Sequence, residues 1–234
     1  MSNVLIIPAR GGSKRIPRKN IKLFHGQPII AYSIQAGLAA GVFERVVVST
    51  DDVEMAEVAR SLGAEVPFMR PAELADDHAG TVEVIQHALA DLAATGYEPE
   101  YACCLYATAP FVQPASLREG LDILQARPDK AFAFSITGYG SPVQRALRLN
   151  AEQCVESLYP EYYDTRSQDL EPVYHDAGQF YWGRRAAWAE GLAIHAPHSL
   201  PVLLPRYLVQ DIDTPEDWRR AELMYASLKQ NGDI

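Results

Sequence analysis

Basic residues cluster between positions 10 and 20, and this cluster is suited to binding a phosphate chain. The segment Arg10-Gly-Gly-Ser-Lys-Arg-Ile-Pro-Arg-Lys-Asn20 holds five of the 21 lysines and arginines, where an even distribution would place about one. Arg10 can bind phosphate through its forked guanidinium, and Lys19 supplies a compact positive charge. Gly11 and Gly12 allow the backbone to approach a ligand and to direct N–H groups at an anion.

The basic segment matches neither of two common phosphate loops. A Walker A loop requires G-x-x-x-x-G-K-[ST], and a dinucleotide loop requires G-x-G-x-x-G. The absence of both patterns from the segment argues against a kinase, an ATPase or a dehydrogenase. A solvated basic loop without a ligand is the alternative, but the glycine pair and the preceding apolar strand favour phosphate binding.

Asp211 and Asp213 form a second candidate site, where a predicted strand gives way to the last helix. Residues two apart on an extended strand face the same side, so these carboxylates converge. Paired carboxylates with free coordination positions suit Mg²⁺, which also takes water and phosphate oxygens as ligands. Helix capping is the alternative, but Thr214 before Pro215 is the natural cap, which leaves both aspartates available for metal.

The elements that position these residues alternate between strand-like and helix-like segments. Strands are predicted at 4–9, 45–50, 64–69, 101–106, 131–136, 178–182 and 202–209, and helices at 29–40, 53–62, 81–94, 114–126 and 215–228. The alternation predicts an α/β fold with a mostly parallel sheet flanked by helices on both faces. Ligands of such sheets bind beyond the carboxyl ends of the strands, where both candidate sites fall.

The alternation breaks between positions 137 and 172, where the sequence is irregular, polar and rich in tyrosine. An insertion of this length inside a compact domain is usually functional or forms an interface. Disorder is the alternative, but Tyr159, Tyr162 and Tyr163 argue against it because disordered segments contain few aromatic residues. We therefore predict a single domain over residues 1–234 that carries an interface arm.

Composition limits the partners and the compartment. The formal net charge of −9 argues against nucleic acid as a partner, because nucleic-acid phosphates require a broad basic surface. No apolar run is long enough to cross a membrane, and the N-terminus lacks the basic start of a signal peptide. The three cysteines contain no C-x-x-C pair, which argues against a disulfide framework or structural zinc. We expect a cytoplasmic protein without membrane contact.

The segment R-G-G-S-K-R-I-P-R-K-N closely resembles the phosphate loop of CMP-sialic acid synthetases, also called acylneuraminate cytidylyltransferases. Members of that family have a glycosyltransferase-A-like, Rossmann-like fold and transfer CMP from CTP to an acidic sugar with Mg²⁺. The resemblance covers nearly the whole chain. It implies that Arg10 and Lys19 contact the triphosphate and that Ser13 and Asn20 assist them.

Other segments extend the resemblance to the metal and the nucleoside. The family has a D-x-D pair that ligates the metal, and Asp211 and Asp213 match it. A family segment R-P-x-x-L-A matches Arg70 to Ala75, which implies that Arg70 and Thr81 hold cytosine or ribose. An ordinary loop followed by a helix cap is the alternative for both residues.

Two segments indicate a branch of the family. Many sialic acid synthetases have Q-P-T-S-P where this chain has Tyr106-Ala-Thr-Ala-Pro110, so that Tyr106 replaces a glutamine. This segment, together with the stretch from Tyr174 to Trp182, resembles pseudaminic acid cytidylyltransferases. The resemblance places Tyr106 among the nucleotide-binding residues.

The resemblance also suggests residues for the sugar. Asp176 and Gln179 are candidates for its hydroxyl or acylamino groups, and Arg145 or Arg166 is a candidate for its carboxylate. A surface ion pair or a core hydrogen bond is the alternative for each of these residues. The insertion of family members is a dimer arm that completes the neighbour's site, so we expect a homodimer whose tyrosines line the interface.

The implied reaction is a direct displacement on CTP by the anomeric hydroxyl of a nine-carbon sugar acid, with release of pyrophosphate. Arg10, Lys19 and Asp211 are its predicted catalytic residues. Alternatives within the same chemistry use N-acetylneuraminate, legionaminate or a hexose phosphate. Alternatives from other classes are a non-catalytic nucleotide-sugar binding protein, which the D-x-D pair disfavours, and a glycosyltransferase, which the strongly cationic loop disfavours.

Overall fold

A computed structural model gives the structure of residues 2–76 and 79–234. Met1 lies outside the described residues, as do Asp77 and His78 inside the predicted ligand loop at 70–81. The strands are β1 Asn3–Pro8, β2 Leu23–Phe24, β3 Gln27–Pro28, β4 Arg45–Ser49, β5 Tyr101–Leu105, β6 Phe132–Gly138, β7 Leu147–Leu149, β8 Val155–Ser157, β9 Tyr174–Arg184 and β10 Ser199–Leu203. The α-helices are α1 Ile30–Ala40, α2 Val53–Ser61, α3 Thr81–Ala94, α4 Pro114–Gln125, α5 Arg185–Ala189 and α6 Pro215–Asn231.

The central sheet of the described residues has the strand order β10-β6-β9-β5-β1-β4. β1 pairs in parallel with β4 and β5, and β10 pairs in parallel with β6. β9 alone among these strands runs antiparallel to its neighbours, β5 and β6. The predicted α/β fold with a mostly parallel sheet is therefore confirmed.

Helices cover both faces of the sheet, as predicted. One core cluster joins the sheet to α1, α2 and α4, and a second joins its other face to α3 and α5. β1 and β5 are buried on both faces, which explains why their sequences are continuously apolar and do not alternate. Within the described parts of the chain, no helix combines the length and the apolar character that a membrane crossing requires.

Two predicted strands differ from the structure. Segment 64–69 forms only a single bridge, between Val47 and Glu65. Segment 202–209 is wrong as a strand because β10 ends at Leu203 and Arg206–Leu208 is a 3-10 helix. Pro205 interrupts the strand because it has no N–H to donate to the sheet.

The insertion leaves and re-enters the sheet at neighbouring positions. β6 extends to Gly138, which pairs with Tyr174 at the start of β9. Between them the chain forms the antiparallel hairpin of β7 and β8 and several 3-10 turns. Because β9 runs antiparallel, its first residues lie at the same edge of the sheet as the carboxyl ends of β5 and β6.

Candidate active site

Two clefts open along this carboxyl edge and meet at Asp211 and Asp213, which line both. Their volumes are about 720 Å³ for the first and about 580 Å³ for the second, and both are the size of small-molecule sites. The first cleft brings together most of the predicted nucleotide and metal residues: Arg10, Ser13, Lys19, Asn20, Arg70, Thr81, Tyr106, Asp211 and Asp213. The second cleft contains Asp176, from the start of β9.

Lys19 joins the basic segment to the aspartate pair. Its Nζ donates to the backbone carbonyl of Ile212 at 2.6 Å and lies 3.3 Å from Oδ1 of Asp213. Arg15 reaches the other carboxylate oxygen of Asp213 at 3.0 Å. The two sequence motifs that lie almost two hundred residues apart therefore form one site.

Arg18 has a structural role that the sequence analysis did not anticipate. Its guanidinium pairs with Asp52, the N-cap of α2, and with Glu54 at 2.6 Å. The hydrogen bond from Arg18 lowers the pKa of Asp52, and that bond in turn raises the pKa of Arg18. Arg18 therefore ties the base of the loop to α2 and does not line either cleft.

Gly11 and Gly12 contribute to the conformation of the basic loop and do not line the first cleft. The N–H of Gly11 donates to Oδ1 of Asp51 at 2.9 Å, and a Cβ at Gly11 would lie 2.8 Å from Oδ2 of Asp52. This N–H is therefore engaged by a carboxylate of the protein itself. Gly12 has open space around its Cα, and neither glycine lines the first cleft.

Arg70, Thr81 and Tyr106 form the wall of the first cleft away from the aspartates. Arg70 is buried and donates to the carbonyls of Ser49 and of Leu74, the latter at 3.3 Å. Burial lowers the pKa of Arg70 to about 10, so that the side chain stays cationic at neutral pH. The hydroxyls of Thr81 and Tyr106 are hydrogen-bonded at 3.0 Å, and burial raises the pKa of Tyr106.

Helix α6 is capped without the help of the aspartate pair. Thr214 is its N-cap, and a carboxylate oxygen of Asp217 accepts hydrogen bonds from the N–H of Thr214 at 2.8 Å and from its hydroxyl at 2.7 Å. The predicted cap is confirmed, and the side chains of Asp211 and Asp213 take no part in it.

The donor set of the aspartate pair fits Mg²⁺ held together with a nucleotide. Asp211 is exposed to the cleft, and partial desolvation by the residues around it, followed by the charge of Asp213, raises its pKa. A cation beside Asp211 would offset both effects. No group of three or more metal-ligating side chains occurs within residues 2–76 and 79–234, so a Mg²⁺ here would need ligands from phosphate and water.

Asp176 is held firmly at the wall of the second cleft. One carboxylate oxygen accepts the N–H of Gly178 at 2.8 Å. The other accepts the hydroxyl of Tyr181 at 2.8 Å and lies 3.0 Å from Nε2 of His195. Tyr181 also packs against Tyr106 with ring centroids 5.4 Å apart, so that the two clefts share one buried polar wall.

Three residues predicted to bind the sugar lie outside both clefts of this chain. Arg145 donates to the carbonyl of Thr165 at 2.6 Å, and Arg166 is paired with Asp169 at 2.7 Å. Gln179 is buried inside β9 and donates to the carbonyl of Leu208 at 2.6 Å. Gln179 therefore forms a hydrogen bond in the core, which was the alternative to its predicted sugar-binding role.

Sequence reasoning missed several residues that line the clefts, namely Arg15 in the first and Arg206 and Arg220 in the second. Arg15 could have been singled out, because it lies between Arg10 and Lys19 in the same basic segment. Arg220 follows Asp217 by three positions, which places both on one face of α6. Nothing in the sequence around Arg206 indicates a site.

Comparison with known proteins agrees with this geometry. A family model described as cytidylyltransferase matches residues 4–181. The pseudaminic acid cytidylyltransferase of Campylobacter jejuni subsp. jejuni serotype O:2 is 46% identical over 225 residues, which is 96% of this chain and 97% of the relative. The CMP-N,N'-diacetyllegionaminic acid synthase of Legionella pneumophila is 31% identical and covers 95% of each chain.

A solved structure supports the same fold. The CMP:2-keto-3-deoxy-manno-octonic acid synthetase complexed with CTP superposes with a TM-score of 0.70 over 97% of this chain and 99% of that chain. Its sequence identity of 18% shows a common fold only. The family match and the relatives of nearly equal length together show that this chain belongs to the cytidylyltransferase family.

Proposed function

We propose that this enzyme transfers CMP from CTP to a nonulosonic acid, and that its substrate is pseudaminic acid. The observation that carries the proposal is the contact of Lys19 with Asp213, which places the cationic loop and the carboxylate pair in one cleft that is continuous with a second. The 46% identical relative of matching length supports the choice of sugar. A reaction that consumes CTP fits a cytoplasmic location.

CTP fits the first cleft with its triphosphate along the basic segment. Arg10, Arg15 and Lys19 line the cleft there, and Ser13 adds a hydroxyl donor. The cytosine and ribose would then lie toward Arg70, Thr81 and Tyr106. Asn20 supports this arrangement indirectly, because its amide donates to the carbonyl of Arg10 at 3.0 Å.

The sugar acid fits the second cleft, with its anomeric hydroxyl directed at the α-phosphorus of CTP. That oxygen forms the new P–O bond while the P–O bond between the α- and β-phosphates breaks. Pyrophosphate is the leaving group, and the hydroxyl proton is released to solvent water. Asp211 and Asp213 would hold Mg²⁺, which when bound supplies charge neutralisation at the α-phosphate. Lys19 and Arg15 would stabilise the negative charge that grows on the departing pyrophosphate.

Pyrophosphate release tests the proposal. With CTP and Mg²⁺, we expect kcat/KM to be highest for pseudaminic acid and lower for legionaminic acid and N-acetylneuraminic acid. A higher value for either of the other sugars would replace pseudaminic acid as the substrate. CTP binding without pyrophosphate release for any of the three sugars would support the non-catalytic alternative.

We also propose that the insertion mediates a homodimer. The β7–β8 hairpin exposes Leu147, Leu149 and Val155, each to more than 60%, and Tyr163 nearby is 81% exposed. Apolar side chains presented together on a surface are typical of an interface. A self-complementary hairpin fits the two-fold symmetry of most dimers.

Introducing negative charge into the hairpin tests the dimer. We expect the wild-type chain to sediment as a dimer and the double variant Leu147→Glu/Val155→Glu to sediment as a monomer. Leu223→Glu is the matched control, because Leu223 is an exposed leucine (66%) on α6, outside the insertion. A wild-type monomer, or a double variant that stays dimeric, would contradict this assignment.

A further inference from the structure

Two arginines of the second cleft, Arg206 and Arg220, have no ion-pair partner among residues 2–76 and 79–234, although both line a cleft that contains four aspartates. Arg206 lies on the 3-10 helix after β10, and Arg220 lies on the first turns of α6. Both side chains are exposed, so each guanidinium is open to an anion that enters the cleft.

The carboxylates of the cleft are already engaged, with one exception. Asp176 is bound by Tyr181 and His195, and Asp213 is bound by Lys19 and Arg15. Asp217 accepts the capping hydrogen bonds of α6. Asp211 is the exception, and it belongs to the proposed metal pair. The two arginines are therefore left to attract a negative charge that enters from outside.

The guanidinium of Arg206 lies close to the backbone at Gly140. A Cβ at Gly140 would lie 3.1 Å from Nη2 of Arg206 and 3.7 Å from its Cζ. A side chain at position 140 would require the flexible end of Arg206 to shift by a few tenths of an ångström, whereas glycine leaves that space open. Gly140 and Arg206 line the second cleft together.

The sugar acid requires a positive partner at this place. If the proposed function is right, its carboxylate is attached to the anomeric carbon whose hydroxyl attacks CTP, so this charge must lie beside the reaction centre. Asp211 and Asp213 lie at that same end of the cleft and would repel it. We propose that Arg206 and Arg220 bind the carboxylate of the sugar and make the second cleft selective for acidic sugars. Arginine suits this task because its planar fork matches a carboxylate.

The proposal differs from the expectation for Arg145 and Arg166, which are engaged within the insertion. Steady-state kinetics of Arg206→Gln and Arg220→Gln separate the two assignments. At saturating CTP and Mg²⁺, we expect each variant to raise the KM for the sugar acid about tenfold and to leave the KM for CTP unchanged. Arg219→Gln is the matched control, because Arg219 is the neighbouring exposed arginine of α6 and lies outside both clefts.

An uncharged analogue of the sugar acid tests whether the arginines recognise the negative charge of its carboxylate. The carboxamide of the sugar acid should inhibit the wild type and the two variants equally, because the interaction with the arginines is already lost. An unchanged KM for the sugar acid in both variants, or a tenfold rise in Arg145→Gln or Arg166→Gln alone, would overturn the proposal. A wild-type enzyme that releases no pyrophosphate with any sugar acid would instead refute the proposed function itself.

Discussion

Replacing Asp211 by asparagine is expected to lower the rate of pyrophosphate release about a thousandfold, which corresponds to about 4 kcal/mol of transition-state stabilisation. The amide keeps the shape of the side chain but removes the charge that would bind Mg²⁺ at the meeting point of the two clefts. Single-turnover measurements with saturating CTP, sugar acid and Mg²⁺ test this expectation.

The same substitution should leave the fold intact or stabilise it. Desolvation and the charge of Asp213 raise the pKa of Asp211 in the folded chain. A carboxylate with a raised pKa lowers the stability of the folded state, and this cost grows as the pH rises from the unfolded pKa to the folded pKa. At neutral pH without ligands, Asp211→Asn should therefore melt at or above the wild-type temperature.

Asp217→Asn is the matched control for Asp211. Asp217 lines the same second cleft, but its hydrogen bonds cap α6. We expect this variant to keep most of its turnover and to melt roughly 2–4 °C lower, as loss of about 1 kcal/mol of capping would produce. Normal turnover in Asp211→Asn, or a loss of turnover in Asp217→Asn as large as that expected for Asp211→Asn, would contradict the assignment of the metal pair.

Lys19→Ala is the second large effect, with an expected loss of about a hundredfold or more in kcat. The ammonium group lies 3.3 Å from Asp213 and donates to Ile212, so its removal takes away a positive charge where pyrophosphate would depart. A loss confined to the KM for CTP would show that Lys19 binds the ground state and the transition state equally, and would contradict a role in the chemical step.

Lys22→Ala controls for the general loss of a cation from this region. Lys22 lies three positions beyond Lys19, and its Nζ lies 4.3 Å from the centre of the Trp218 ring, outside both clefts. Turnover in this variant should stay within about threefold of the wild type. If Lys19→Ala retains equally high turnover, the cationic loop has a role other than catalysis.

The place of the candidate site at the carboxyl edge of the sheet could be predicted from the sequence because it follows from simple rules. Parallel strands end at one edge of a sheet, so a basic loop after β1 and carboxylates after the last strand were both expected at that edge. The cap at Thr214 followed from Pro215 and the acidic first turn. The cap depends on neighbouring residues, and the edge rule depends on the order of strands and loops. Both can be read from a single sequence.

The remaining features depend on contacts between distant segments. Gly11 and Arg18 look like phosphate ligands in the sequence, but both are engaged by the two aspartates that precede α2, Gly11 by Asp51 and Arg18 by Asp52. The direction of β9 is not encoded by its apolar pattern, because parallel and antiparallel strands share the same period. Arg206 is identified as a candidate only by the structure, which places it beside Gly140 in the second cleft.

The pairing of Gly138 with Tyr174 has a consequence for how such enzymes can change. The ladder of β6 and β9 closes the base of the insertion, so that everything between these residues is one appendage whose length does not alter the sheet. The entropic cost of closing a longer or shorter excursion changes only slowly with its length. Changes of length within this appendage, beyond the cleft residue Gly140, should therefore leave the central sheet and the residues at its carboxyl edge in place.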